Sequence, residues 1–197
     1  MKKIFFVALA LSLTCTSAIA QKSKKSKSKA KTTVAAGPKS FAKADNLSVD
    51  YSKNNLFLTI SPSKDTVSLR KVTMSEPSDV VVKPISCSGK QLYAVTWTEK
   101  KKQGDAKTKL EDITQKNTTI VDVESKAKVL ENIELANHIT EKVYLSADKY
   151  VSETQEKTRR EGFECSLGAN GEVYLKNKST QTKLVYDTKT SKFIAKK

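Results

Sequence analysis

From residue 45 onward the chain alternates between apolar and polar positions. Leu47, Val49 and Tyr51 occupy every second place, and so do Leu56, Leu58 and Ile60 after the turn-prone pair Asn54-Asn55. A period of two puts one set of side chains on one face of a pleated strand, so these runs predict half-buried β-strands. Val67 and Leu69 follow the turn "SPSKDT". Residues 80–82 are a β-branched run that Pro84 ends or confines to a sheet edge, because proline has no N–H to give a ladder. Tyr93, Val95 and Trp97 share one strand face, and Leu92 and Ala94 share the other. "EKKKQGDAKTKLED" (99–112) reads as a polar connection. Ile120, Val121 and Val123, then Val129, Leu130, Ile133 and Leu135, predict two strands around "ESKA", and residues 143–145 follow. Phe163, Cys165 and Leu167 alternate, Asn170-Gly171 signals a tight hairpin, and Val173 and Leu175 return from it. Leu184 with Tyr186, and Phe193, mark the last strands.

One stretch breaks the pattern. "SADKYVSETQEKTRREG" (146–162) predicts a helix near 148–161, with Ser146 or Asp148 as N-cap and Ser152 with Gln155 as a later capping box. Glu153 with Lys157 and Glu156 with Arg160 have i,i+4 spacing, Arg159 and Arg160 suit a helix C-terminus, and Gly162 suits a left-handed cap. The expected class is therefore mainly β, with antiparallel sheets in a sandwich-like or α+β arrangement and one helix. The segments 57–71 and 163–177 also superpose without a gap, as two hairpins of equal length would.

The first residues follow another logic. Lys2 and Lys3 precede a run, 4–13, that is apolar apart from Ser12, and Ala18-Ile19-Ala20 has the small-x-small form a signal peptidase reads. The run is shorter than the about 20 apolar residues a membrane span needs. Residues 1–20 are thus expected to be a signal peptide and the mature chain to begin near Gln21. A lipid anchor on Cys15 is the alternative, disfavoured by Thr14 and Ser12 where lipoprotein signals place a small residue and a leucine. The location expected is periplasmic or secreted.

Charge then divides the mature chain. The formal total is +15, and residues 21–43 hold eight lysines and no acid, among them Lys22, Lys24, Lys25, Lys27, Lys29 and Lys31. A segment this polar, without aromatic residues before Phe41, cannot bury enough apolar surface to offset its ordering entropy. Residues 21–44 are expected to be a disordered spacer, and residues 45–197 one β-rich domain. Those six lysines could also act as an electrostatic tether to an anionic envelope surface, with binding that weakens as salt rises. Export takes chromosomal nucleic acid out of reach.

Candidate chemistry is sparse. His138 is the only histidine, and no CxxC or HxH spacing is present, so neither a metal nor another cofactor is expected. Once Cys15 is removed with the signal, Cys87 and Cys165 are an even pair in an oxidising compartment. A disulfide between them would close a loop of about 80 residues; two separate buried thiols are the alternative. A thiol enzyme would need Cys87 or Cys165 beside His138, with Asn137 as a third group, yet neighbours on a strand point to opposite faces. Trp97 and Tyr93 suggest an aromatic platform for a carbohydrate, if their face is the exposed one. The function expected is a non-catalytic exported envelope protein whose β-rich domain binds a partner protein or envelope component. Carbohydrate binding is the second reading and thiol chemistry the third.

Overall fold

Short turns decide how the alternating runs pair. A computed structural model of the chain describes residues 38–196. The first sheet contains β1 (Lys39–Ala44), β2 (Leu47–Ser52), β3 (Asn55–Ile60) and β4 (Asp65–Lys71). The central sheet contains β5 (Ser78–Cys87), β6 (Lys90–Asp105), β7 (Lys109–Asp122), β8 (Ala127–Tyr144) and β9 (Ser152–Gly162). The third contains β10 (Glu164–Leu167), β11 (Val173–Lys176), β12 (Gln181–Asp187) and β13 (Lys192–Ala195). In each sheet the spatial order is the chain order and every pair is antiparallel. No helix occurs among the described residues.

Two-residue loops set the register of β2 with β3 in the first sheet and of β5 with β6 in the central sheet. Lys53-Asn54 and Ser88-Gly89 both have positive φ at the two loop positions (49° and 61°, 51° and 82°). That is the type I′ geometry whose twist matches paired strands. The first of these turns lies one residue earlier than Asn54-Asn55. Pro84 is paired with Tyr93 on β5, an edge strand of its sheet, where its missing N–H breaks no interior ladder.

The core has two halves, on opposite faces of the central sheet. Tyr93, Val95, Trp97 and Val121 pack with Leu47, Val49, Leu56, Leu58 and Leu69 of the first sheet. The intervening residues Leu92, Ala94 and Ile120 pack with Ile85, Cys87, Val173 and Tyr186, so the third sheet covers the other side. Both faces of β6 are therefore buried from Leu92 to Val95, so neither alternating set of side chains there points to solvent. Each fully buried Leu or Val contributes about 1.5–3 kcal/mol relative to exposure. Gly171 marks where the third sheet meets β5. Its carbonyl lies 3.3 Å from Cys87 Sγ, and an added Cβ would stand 2.3 Å from Ser86 O.

The structure corrects several expectations. Residues 39–44, assigned to the spacer, form β1, and Phe41 stacks edge-on with Tyr51 at 6.0 Å between ring centroids. Residues 99–112 are no connection: β6 runs to Asp105 and β7 begins at Lys109. The helix near 148–161 is absent. Residues 145–151 make a turn and Ser152–Gly162 pairs with β8 from Tyr144↔Ser152 to Glu134↔Gly162. The reason is that helix propensity is weak where no apolar stripe supports it, while the edge of β8 offers a full ladder of backbone hydrogen bonds. Lys157 accordingly pairs with Glu141 across the ladder at 2.9 Å rather than with Glu153 along a helix. Gly162 does take a positive φ, 80°, but at the end of a strand. The two superposable segments are the β3–β4 and β10–β11 hairpins, whose loops differ in length.

Two-sided burial makes a prediction. Leu92→Ala, facing the third sheet, should cost about 2–5 kcal/mol, and Val95→Ala, facing the first, on the order of 2 kcal/mol. Urea midpoints measure both, and a midpoint unchanged by either substitution would mean that one flanking sheet does not cover its face.

Candidate functional site

The residues that the sequence nominates are mostly spent inside the fold. Trp97 is 1% exposed, and its Nε1 donates to Glu99 Oε1 at 3.0 Å. Glu99 is itself fully buried. Its carboxyl group also accepts from the backbone N–H groups of Thr73 (3.2 Å) and Met74 (3.3 Å), and from Asn117 Nδ2 (3.4 Å). These bonds fasten the connection leaving β4 to the central sheet, and a buried donor left unpaired costs about 1–3 kcal/mol. Tyr93 is 8% exposed; its hydroxyl donates to Asp45 Oδ2 at 3.0 Å and accepts from Gln91 Nε2 at 2.9 Å. An aromatic platform at Tyr93 and Trp97 is thereby corrected: both rings are core, with their polar ends satisfied.

Cys87 and Cys165 are free thiols, so the expected bridge is corrected as well. The register gives the reason. Cys87 pairs with Lys90 beside the β5–β6 turn and lies 3.3 Å from Gly171 O, whereas Cys165 pairs with Leu175 on β11. Burial pushes both thiols up from their ordinary value, against the lowering that a thiolate nucleophile requires. His138 stands on exposed β8, with Nδ1 3.3 Å from Thr158 Oγ1, at the level of Asp112 and Lys102. It is brought to neither cysteine. Lys22, Lys24, Lys25, Lys27, Lys29 and Lys31 lie outside the described residues, as do residues 1–20 with Cys15.

What the fold leaves exposed is the far half of the central sheet. Beyond Glu99 no residue of the first sheet joins the core cluster, and β6, β7, β8 and β9 continue as a projecting blade. Its strands read as polar because neither face is covered. Opposite charges meet across the rows, Lys102 with Asp112 at 3.2 Å and Lys157 with Glu141 at 2.9 Å, and along β7, Lys109 with Glu111 at 2.6 Å. Ile139, beside Glu111 and Lys157 in the register, is only 1% exposed. Long side chains of this kind cover apolar surface with their stems and keep their charge in water. β9 is an exposed edge, and its mixture of Glu, Lys and Arg is the usual protection against unwanted strand pairing.

The blade ends in the β6–β7 turn and, past the end of β7, the turn that follows β8. Lys142 N donates to Thr108 O at 2.7 Å, which joins the β6–β7 turn to β8. β8 then continues to Tyr144, and the 145–151 turn is closed by Leu145 N to Val151 O at 2.9 Å. Tyr144, Leu145, Tyr150 and Val151 are 42%, 60%, 87% and 56% exposed. Lys142 and Lys149 each place Nζ 5.8 Å from the Tyr144 ring centroid. The sequence placed Tyr150 and Val151 inside the expected helix near 148–161. The signal that identifies them is two apolar pairs, Tyr144-Leu145 and Tyr150-Val151, flanking a polar turn with nothing to bury them.

Two concave regions complete the surface. A cleft of about 490 Å³ lies between β9 and the β11–β12 turn, lined among others by Glu134, Arg160, Glu161, Glu164, Lys176 and Lys178. Its carboxyl groups and cations are interleaved, so it favours neither sign of ligand. A shallow groove on the outer face of the first sheet holds Phe57 among Asp50, Thr59 and Thr66. The chain matches no family model, no curated protein and no solved structure.

The electrostatic rows of the blade predict its acid behaviour. Lys109, then Gln103 and Asn137, hold Glu111 down at about 2, below its ordinary 4.5. A carboxyl group depressed in the folded state adds stability that is full above the unfolded value and is lost as pH falls through the folded one. Urea midpoints of the parent should therefore fall between pH 4.5 and about 2, and the Glu111→Gln protein should fall less over that window. Parallel curves for the two proteins would remove Glu111 from the blade's stability.

Proposed function

We propose that the chain is an exported, non-catalytic envelope protein, a β-sheet scaffold that holds a projecting blade against an envelope component. The observation that carries this reading is the division of the central sheet. One half is covered on both faces, and its aromatic, acidic and thiol side chains serve packing. The other half is held out beyond Glu99 as a ladder of long strands that joins neither core cluster, with β6 and β9 exposed and β7 and β8 half-buried by the side chains beside them. A sheet extended in this way costs conformational entropy and buries little in return, which a partner along the blade would offset. The signal-like residues 1–20 support export, and the lysines between 22 and 31 support attraction to an anionic surface.

Co-sedimentation of the mature chain with washed envelope membranes and with cell-wall sacculi tests the reading. Retention by at least one fraction at low salt, weakening as the Debye length shrinks from about 30 Å to about 8 Å, is the expected result. A protein that stays in the supernatant with every envelope fraction would overturn it.

A further inference from the structure

We propose that the tip of the blade, residues 142–151 with the adjoining 105–109 turn, docks on the headgroup region of an anionic lipid bilayer. The inference rests on the envelope reading above and names its partner surface. Among the described residues seven large apolar side chains are exposed, and four of them, Tyr144, Leu145, Tyr150 and Val151, belong to this one turn. Scattered exposed apolar residues are ordinary on a soluble protein, whereas a contiguous cluster marks a surface that meets something. The cluster occupies the end of a projecting hairpin. The last β7–β8 pair is Lys109↔Glu141, and β8 with its turn runs on past it. A protruding end suits insertion into a soft interface.

Chemistry selects the bilayer. Tyrosine, with an apolar ring and a polar hydroxyl, concentrates at the membrane–water interface, and Leu145 and Val151 can enter just below it. The two turns carry Lys107, Lys109, Lys142 and Lys149 against Asp105 and Asp148, an excess of positive charge. Lys109 is engaged by Glu111, but Lys107, Lys142 and Lys149 have no carboxylate partner among the described residues. Lys142 and Lys149 lie against the Tyr144 ring, which places their ammonium groups where anionic headgroups would meet them.

The test uses the mature chain and vesicles of phosphatidylcholine alone or of equal parts phosphatidylcholine and phosphatidylglycerol. The parent should float with the anionic vesicles and not with the neutral ones. Leu145→Ser with Val151→Ser, at residues too exposed to support the fold, should weaken that binding about tenfold. Val81→Ser, exposed elsewhere (52%), should leave it unchanged. In a Tyr150→Trp protein the tip fluorescence should shift blue on binding, while Trp97, already buried, gives a constant background. Tip variants that float like the parent, or a bound Tyr150→Trp protein with no blue shift, would overturn the proposal, most directly if replacing Lys22, Lys24, Lys25, Lys27, Lys29 and Lys31 by Gln abolishes binding instead. Retention by native envelope fractions without flotation on either vesicle would overturn the lipid assignment and leave the envelope reading standing. Absence of both would end the two together.

Discussion

β7 has hydrogen-bonded neighbours on both sides from Lys109 to Val121, yet only its C-terminal half is covered above and below. Backbone pairing is therefore constant along the central sheet while burial is not. The other features of the fold depend on that mismatch. Where cover exists, the strands are apolar on both faces, as Leu92 to Val95 and Ile120 with Val121 show. Where it ends, Glu99 gathers Trp97, Asn117 and the β4–β5 connection around one buried carboxyl group. Past Glu99 the sheet relies on its ladder and on cross-strand charge. Lys90 and Asp122, 2.7 Å apart, close the opposite end, where burial pushes the Asp122 carboxyl up but Lys90 and Ser125 carry it lower overall.

The uneven burial divides the molecule by stability and by role. Regions with few buried apolar contacts open at lower free energy than the core to which they are attached. The blade belongs to that class, anchored by strands that continue without a break into the two-sided core. A functional surface gains from this arrangement: its base is fixed by packing, while its tip can adapt to what it meets. The cross-strand pairs, Lys102 with Asp112 and Lys157 with Glu141, keep the uncovered sheet in register without apolar cover, at a modest gain for each exposed pair.

Much of the covered half was legible in the sequence. The alternations at 47–51, 56–60, 92–97 and 173–175 are strands, and positive-φ residues fall in or next to the expected turns at Asn54-Asn55, "SPSKDT", "ESKA" and Asn170-Gly171, whereas the Ser88-Gly89 turn had no such signal. The uncovered half was not legible, because hydrophobic periodicity reports burial rather than pairing. Residues 99–112 lack an apolar face to repeat, so they read as a connection, and 148–161 lacks one too, so capping residues and charge spacing suggested a helix. Trp97 was ambiguous for the opposite reason: both faces of its strand are apolar, and only the tertiary arrangement shows that both are covered. The cysteine pair failed because sequence gives loop length but not the strand each residue pairs with. The tip was hidden inside the helix assignment, since Tyr150 and Val151 fall within 148–161 and only the observed turn leaves them in solvent.

Amide hydrogen exchange along β7 tests the central claim most directly, since every residue there sits between two strands and differs only in cover. Amides bonded within the ladder from residues 118 to 121 should exchange only through global unfolding. Those from residues 110 to 114 should exchange through local opening, with a lower free energy that responds weakly to denaturant. Uniform protection across the strand, with one free energy and one denaturant slope, would contradict an account in which the central sheet is a covered core at one end and a self-supported blade at the other.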